Sequence, residues 1–275
     1  MKTAKPFQFF LITYLWSWIL WAPFVLEGMG LYSMNEDLHA AISFPVLMPG
    51  AFGPAVGALF CVYNESGREG LKAFARSFLN LRFGWKVWAA IFLIIPLANI
   101  IVWYIPELFG QERLLMLLPG IYVFPVYWLI MVFLGGGQEE IGWRGYILPI
   151  LETKYGLWFG NIILGFFWAF WHVPLYFVSG HMQEFLPFLP FLAGCIGMSF
   201  FYSWIMKASG GRPLSAVIAH GTINAFIPVF PTIIMETDVF QTRFWLHEFL
   251  FLIIGAIFLL SCWKKYIQKT KKNFK

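Results

Sequence analysis

Apolar runs near twenty residues long follow one another through this chain, at about 7–27, 41–63, 86–105, 115–135, 157–179, 186–206, 213–234 and 244–263. A helix needs about 20 apolar residues to cross the hydrocarbon of a bilayer, and no soluble core hides so many segments of that length. Lipid offers the backbone no partners, so only helices or a closed barrel can span it. These runs are too long and too continuously apolar for the short alternating strands of a barrel. The expected fold is therefore all-α, a polytopic membrane helical bundle of about eight transmembrane helices. Residues 1–275 read as a single integral membrane domain with no second domain and no internal repeat. Composition agrees, because only 12% of residues are charged, about half the soluble average.

The net charge of +5 would raise nucleic acid as a partner in a soluble protein. Here the bases sit beside apolar spans, so the lipid bilayer is the partner and no nucleic acid is expected. Alternating the spans from an inside start puts seventeen of the nineteen Lys and Arg residues on one side, leaving Arg113 and Arg243 on the other. Positive charge collects on the cytoplasmic side of membrane proteins, so both termini are expected in the cytoplasm, with the protein in the cell membrane. Lys2 and Lys5 precede the first run in the manner of a signal peptide, but no small-residue cleavage site follows. The run reads as a retained first span. Cys61, Cys195 and Cys262 lie in or at the end of apolar runs without metal-ligand spacing, and read as packing residues. Gly67–Gly84 sets Leu71, Phe74, Phe78 and Leu81 among Arg68, Lys72, Arg76 and Arg82. That pattern fits a helix lying in the membrane interface and fits an ordinary basic loop equally. The lysines from Lys264 onward form a tail suited to anionic lipid.

Polar side chains inside such a chain are expensive and call for a reason. The first group is Gly135-Gly136-Gly137-Gln138-Glu139-Glu140-Ile141-Gly142-Trp143-Arg144. If a helix starts at Glu139, Glu140 and Arg144 lie one turn apart in the favourable acid-before-base order. Glu139 then points about 100° away and has no cation nearby in sequence. A carboxylate in that setting suits general-base work near neutrality, and a solvated helix start is the plainer alternative. The second group is Phe167 through Pro174, where His172 interrupts an aromatic run that includes Trp168. Pro174 should end or kink the helix there. A lone histidine on an apolar face also serves simply as a core residue bonded to a carbonyl. In the third group His220 and Asn224 lie one turn apart inside the seventh run; alone, they read equally as an interhelical hydrogen-bonding pair.

Taken together, the groups imply a polar cavity in the bundle. Glu139 and His172 are placed to hold and deprotonate a water, and His220 and Asn224 to donate to a developing oxyanion. Alternatively, Glu139, His172 and His220 ligate Zn²⁺ and lower the pKa of its bound water.

Glu139-Glu140-x-x-x-Arg144, then Trp168-x-x-x-His172, then His220-x-x-x-Asn224 resembles the CPBP family of type II CAAX prenyl endopeptidases and bacteriocin-processing or immunity-related membrane proteins. The resemblance covers about residues 115–235, and the order and spacing of three motifs make it specific. The family usually has Phe where this chain has Trp168, a departure that keeps an aromatic plate. The resemblance implies an all-α membrane core that cleaves a peptide bond near the membrane surface. The count of loop charges, which places Glu139 close to the cytoplasmic side, makes that the cytoplasmic face. The implied substrate is a peptide or lipidated protein, such as a prenylated CAAX-type tail or a bacteriocin-like peptide. By position, Glu139 and His172 activate water, His220 and Asn224 stabilise the oxyanion, and Glu140, Arg144 and Trp168 support the site. The family is commonly called metalloprotease, yet this residue set also works with glutamate as base and no metal.

Other intramembrane protease patterns are missing. There is no His-Glu-x-x-His helix, Gly197-Met198-Ser199-Phe200 lacks a second glycine, and His247-Glu248 lacks a second histidine four residues from the first. A non-catalytic immunity or scaffold protein remains the competing class. A small transporter is the third, although no paired halves are visible.

Overall fold

The computed structural model describes residues 6–273, with side chains described as far as Trp263. Lys2, Lys5 and the side chains of the basic tail lie outside that range. Among the described residues the chain is helical, with no strands. The helices are α1 (Pro6–Gly28), α2 (Glu36–Gly50), α3 (Gly53–Ser77), α4 (Trp85–Phe109), α5 (Ile121–Tyr155), α6 (Leu157–Phe177), α7 (Phe188–Ala208), α8 (Leu214–Phe226) and α9 (Thr242–Asn273). Six of these are long and apolar enough to cross a membrane, and α2 with α3 makes a broken seventh span, bent by 42°. This is a multi-pass membrane protein.

Each expected run has a helical counterpart, but three boundaries change. The run at 41–63 breaks between α2 and α3, where Pro45, Pro49 and Pro54 crowd the junction and proline removes ladder donors. Asn35 starts α2 by accepting the N–H groups of Asp37 and Leu38 at 2.9 and 3.3 Å, which satisfies donors that a helix start leaves free. The run at 213–234 is helical only as far as Phe226. The run at 115–135 does not end there, because α5 resumes past the glycines and continues to Tyr155.

Helices pack where small residues let backbones approach, the usual device where lipid removes the hydrophobic drive. A Cβ on Gly221 of α8 would lie 2.4 Å from Val132 Cα on α5, and one on Gly197 of α7 would lie 2.4 Å from Leu252 Cα on α9. Tyr14, Trp18 and Ser17 of α1 bond to Phe167 O, Trp171 O and the Trp171 indole of α6.

The connections sort into two ends. Leu117 N–H donates to Pro228 O at 2.8 Å, Arg243 donates to Trp103 O and Glu112 O, and Gly28 lies against Phe177 O. The loops near 29–35, 110–120, 178–187 and 227–241 therefore share one end, which carries Glu36, Asp37, Glu107, Glu112, Glu184, Glu236 and Asp238. Lys207 bonds Glu152 at 2.5 Å at the other, basic end. Two expectations are corrected here. Arg144 is not a loop charge, since it is 0% exposed between helices. Glu139 is also not close to the basic end, because helix runs on from Glu140 to Tyr155, a rise of about 24 Å. The glycine run bends the span without ending it. In the stretch Gly67–Gly84, α3 continues to Ser77 through a kink at Gly67, and Phe74 and Phe78 pack on Gly145.

Candidate active site

The sequence of α5 builds the centre of the site. Phe124–Phe133 forms regular helix, the chain turns at Gly135 and Gly136, and one 3₁₀ turn covers Gly137–Glu139. Helix then resumes and widens to a π segment over Trp143–Ile147. Gly136 has φ +118°, a conformation open to glycine and strained for other residues. The side chain of Gln138 fixes the turn by accepting Gly136 N–H at 2.8 Å.

A cavity of about 340 Å³ opens beside this turn, lined among others by Gly136, Glu139, Trp168, His172, His220 and Asn224. It extends toward the acidic end, where His181, Gln183, Thr232 and Phe244 line it. All four predicted catalytic residues meet in this one space.

Trp168 ties them together. Its indole N–H donates to Glu139 Oε2 at 2.7 Å, and its carbonyl accepts from His172 Nδ1 at 2.9 Å. A carbonyl partner places the ring proton on Nδ1, so His172 Nε2 keeps a lone pair. Trp168 is thus more than an aromatic plate, since a Phe at this position could not donate to Glu139. Glu139 is 6% exposed and has one carboxylate oxygen held by the indole.

Glu140 serves a second, buried cluster. Its Oε1 accepts from Arg144 Nη1 at 2.7 Å and from His220 Nδ1 at 2.8 Å. The Arg144 guanidinium lies 4.5 Å from the Trp168 ring and 4.8 Å from the Tyr202 ring, and donates to Ser199 Oγ at 2.9 Å. The predicted i,i+4 pair is present, but its main effect is long-range, because it orients His220 from a helix eighty residues away in sequence. With Nδ1 committed, His220 presents Nε2. Donation from Nε2 requires the imidazolium, with Glu140 as counter-ion.

Asn224 Nδ2 donates to Gly135 O at 2.7 Å, which uses one of its two protons. A Cβ built on Gly136 would lie 2.5 Å from Asn224 Nδ2 and 2.6 Å from His220 Nε2. Two nitrogens therefore converge on space that exists because residue 136 has no side chain. The Gly136→Ala protein should lose turnover by roughly 100-fold or more, the scale of a lost oxyanion donor, together with a smaller loss of stability, because a side chain at φ +118° is strained. Peptide cleavage measured beside thermal unfolding checks this, and near-normal turnover would remove the donor role.

Several members of the site are not legible from spacing. Ser199, Tyr202 and Gln138 have ordinary identities, and their roles come from contacts across helices. His247 and Glu248 lacked a zinc spacing, yet both line the same cavity. Among the described residues no group of three or more His, Cys, Asp or Glu side chains is placed to hold a metal ion. Glu139, His172 and His220, the residues of the alternative zinc reading, all line the cavity without forming such a group. His220 and His172 each have Nδ1 bonded to another group and present Nε2.

Residues 121–226 match the family model for type II CAAX prenyl endopeptidase, Rce1-like. Over 267 residues the chain is also 26% identical to the CAAX prenyl protease 2 of Methanococcus maripaludis, with 93% of each chain covered. Rce1-like proteins are membrane endopeptidases, and the matched Rce1-like segment contains Glu139, Glu140, Arg144, Trp168, His172, His220 and Asn224. His247 and Glu248 lie beyond it.

Proposed function

We propose that this chain hydrolyses a peptide bond of a membrane-associated substrate, with Glu139 and His172 activating the water. The observation that carries the reading is the convergence of His220 Nε2 and Asn224 Nδ2 on the space beside Gly136, in the cavity that holds Glu139. A water between Glu139 and His172 Nε2 loses its proton to the carboxylate as its oxygen attacks the carbonyl carbon. The carbonyl oxygen becomes an oxyanion and takes hydrogen bonds from His220 and Asn224. Collapse breaks the C–N bond, and Glu139 returns the proton to the leaving amine. Cleavage of a quenched fluorescent peptide by the purified protein, absent in the Glu139→Gln variant, is the direct test.

The proposed route uses no metal, a reading supported by the lack, among the described residues, of any group of three or more His, Cys, Asp or Glu side chains placed as ligands. Activity should survive dialysis against a strong zinc chelator with less than about a twofold loss, well below the effect of losing one catalytic group. Inactivation that added Zn²⁺ reverses would overturn this arrangement.

The relative is called a CAAX prenyl protease, and a prenylated CAAX-type tail is one substrate class for this chain. An exported amphipathic or bacteriocin-like peptide is the other. Orientation separates them. With the basic end and both termini in the cytoplasm, the loops around the cavity face away from it, and exported peptides fit. The reverse orientation fits lipidated cytoplasmic tails. The charge distribution favours the first. Ser179 and Asn80 are exposed at opposite ends, so Ser179→Cys should react with an impermeant thiol reagent added to intact cells and Asn80→Cys should not. The opposite labelling pattern would reverse the assignment.

A further inference from the structure

Five basic residues and one acidic residue fall within positions 68–86. At Gly67 the line of α3 breaks, with φ +62° and ψ −156°, a conformation that glycine adopts without strain. Helix then runs on to Ser77 as an arm at the basic end of the bundle. Arg68, Lys72 and Arg76 recur every four residues, so they share one face of the arm, and all three are exposed. Leu71, Phe74 and Phe78 lie on the adjoining face and are half-buried.

Contacts with α5 fix which way the arm faces. Phe74 and Phe78 pack on Gly145, where a Cβ would lie 2.7 Å from Phe78 Cζ and 3.3 Å from Phe74 Cζ. On the other side of the kink the Tyr146 hydroxyl donates to Glu65 at 2.6 Å. The arm is therefore tied to neighbouring residues of one helix on both sides of Gly67, and its basic stripe is left facing outward. Lys72 meets Glu69 at 2.7 Å with both side chains in the open, a pairing that contributes little. Arg68, Arg76 and Arg82 have no ion-pair partner among the described residues.

The chain that follows fixes the depth. Leu79, Leu81 and Trp85 are 78%, 55% and 74% exposed. Trp85 opens the span α4, which continues through the exposed Phe92 and Leu93. A residue that starts a span sits where the chain enters the bilayer, at the level of the headgroups, and tryptophan collects there. Arg82 and Lys86 are exposed beside these apolar side chains. Cations and apolar groups are mixed in one short stretch at that depth. A soluble acidic partner would meet only the cations. An anionic phospholipid meets both, with phosphate on the bases and acyl chain on Leu79, Leu81 and Trp85.

We propose that residues 68–86 form a binding surface for anionic phospholipid, with Arg68, Lys72, Arg76 and Arg82 taking the headgroup phosphates. The surface lies outside the catalytic cavity and does not depend on the endopeptidase reading.

The full-length protein in dodecyl maltoside is titrated with short-chain phosphatidylglycerol, and lipid held by the intact protein is counted by native mass spectrometry. Phosphatidylglycerol should bind roughly 10-fold or more tighter than phosphatidylcholine of the same chain length, because each base near an anionic surface contributes severalfold. The triple variant Arg68→Gln/Lys72→Gln/Arg76→Gln should weaken phosphatidylglycerol roughly 10- to 100-fold and leave phosphatidylcholine nearly unchanged. All three side chains are exposed, so the variant should fold, which thermal unfolding checks. Phosphatidylglycerol should also raise the unfolding temperature of the native protein and not that of the variant. A control with Lys271, Lys272 and Lys275 changed to Gln has the same net charge as the triple variant and should keep most of the affinity. Equal binding of the two lipids, native affinity in the triple variant, or an equal loss in the control would overturn the proposal. Competition settles the remaining occupants: displacement of the lipid by an equal concentration of inorganic phosphate would reduce the surface to an ion site, and displacement by polyglutamate would give it to an acidic protein. Either result would sink the lipid assignment.

Discussion

Replacing Glu139 by Gln should lower kcat by about 100- to 10,000-fold, the range for loss of a positioned general base, while the protein keeps its fold. The substitution is close to isosteric, and the amide oxygen of Gln can still accept the Trp168 indole N–H that the carboxylate accepts at 2.7 Å. Packing around residue 139 therefore survives, and proton abstraction is what is removed. Substrate binding should change little, so KM should move by less than about threefold if the water-activating role is made mainly in the transition state. Turnover of a fluorogenic peptide, measured beside the melting curve of each protein, gives both numbers. A Glu139→Gln enzyme with native turnover would transfer the base role to another residue, and His172 would be the next candidate.

The second large effect is on stability. Arg144 is 0% exposed and its ion-pair partner Glu140 is also 0% exposed. Arg144→Met fills a similar volume but leaves the carboxylate buried with only His220 as partner. Breaking a buried pair from one side costs about 3–5 kcal/mol, which for a chain of this size corresponds to a fall on the order of 10 °C in unfolding temperature. Activity should fall as well, because Glu140 Oε1 is the atom that orients His220 Nδ1 at 2.8 Å. The double variant Glu140→Gln/Arg144→Met should recover part of the stability, since the uncompensated charge is gone, but none of the activity. Calorimetry or dye-monitored unfolding in detergent checks the ordering. An Arg144→Met protein that melts with the native one would show that the pair contributes nothing to holding α5, α7 and α8 together.

Much of the bundle is legible in the sequence because lipid imposes a simple rule. A span must be long, apolar and internally hydrogen-bonded, so composition over windows of about 20 residues locates helices without knowledge of their neighbours. The rule weakens where proline and glycine interrupt a run. It joined α2 and α3 into one span, and it read the glycines at 135–137 as the end of a span where α5 is only bent. That second difference moved Glu139 along the bundle, away from the basic end, and took Arg144 out of the loop charges. Both follow from one local fact, that Gly136 turns the chain at φ +118° and the helix resumes at Glu140.

The site divides along the same line. Spacing by itself determined that Glu140 and Arg144 share a helix face, that His220 and Asn224 share another, and that His172 ends a helix before Pro174, because each is a matter of 3.6 residues per turn. Only the tertiary structure decided that Trp168 donates to Glu139, that Glu140 serves His220, and that Asn224 and His220 converge beside Gly136. Those contacts join residues from 29 to 89 positions apart, set by how α5, α6 and α8 cross. Periodicity along one helix carries no information about the rotation of its neighbour, and that rotation is what turned separate polar residues into a cavity able to hold a water and a peptide carbonyl.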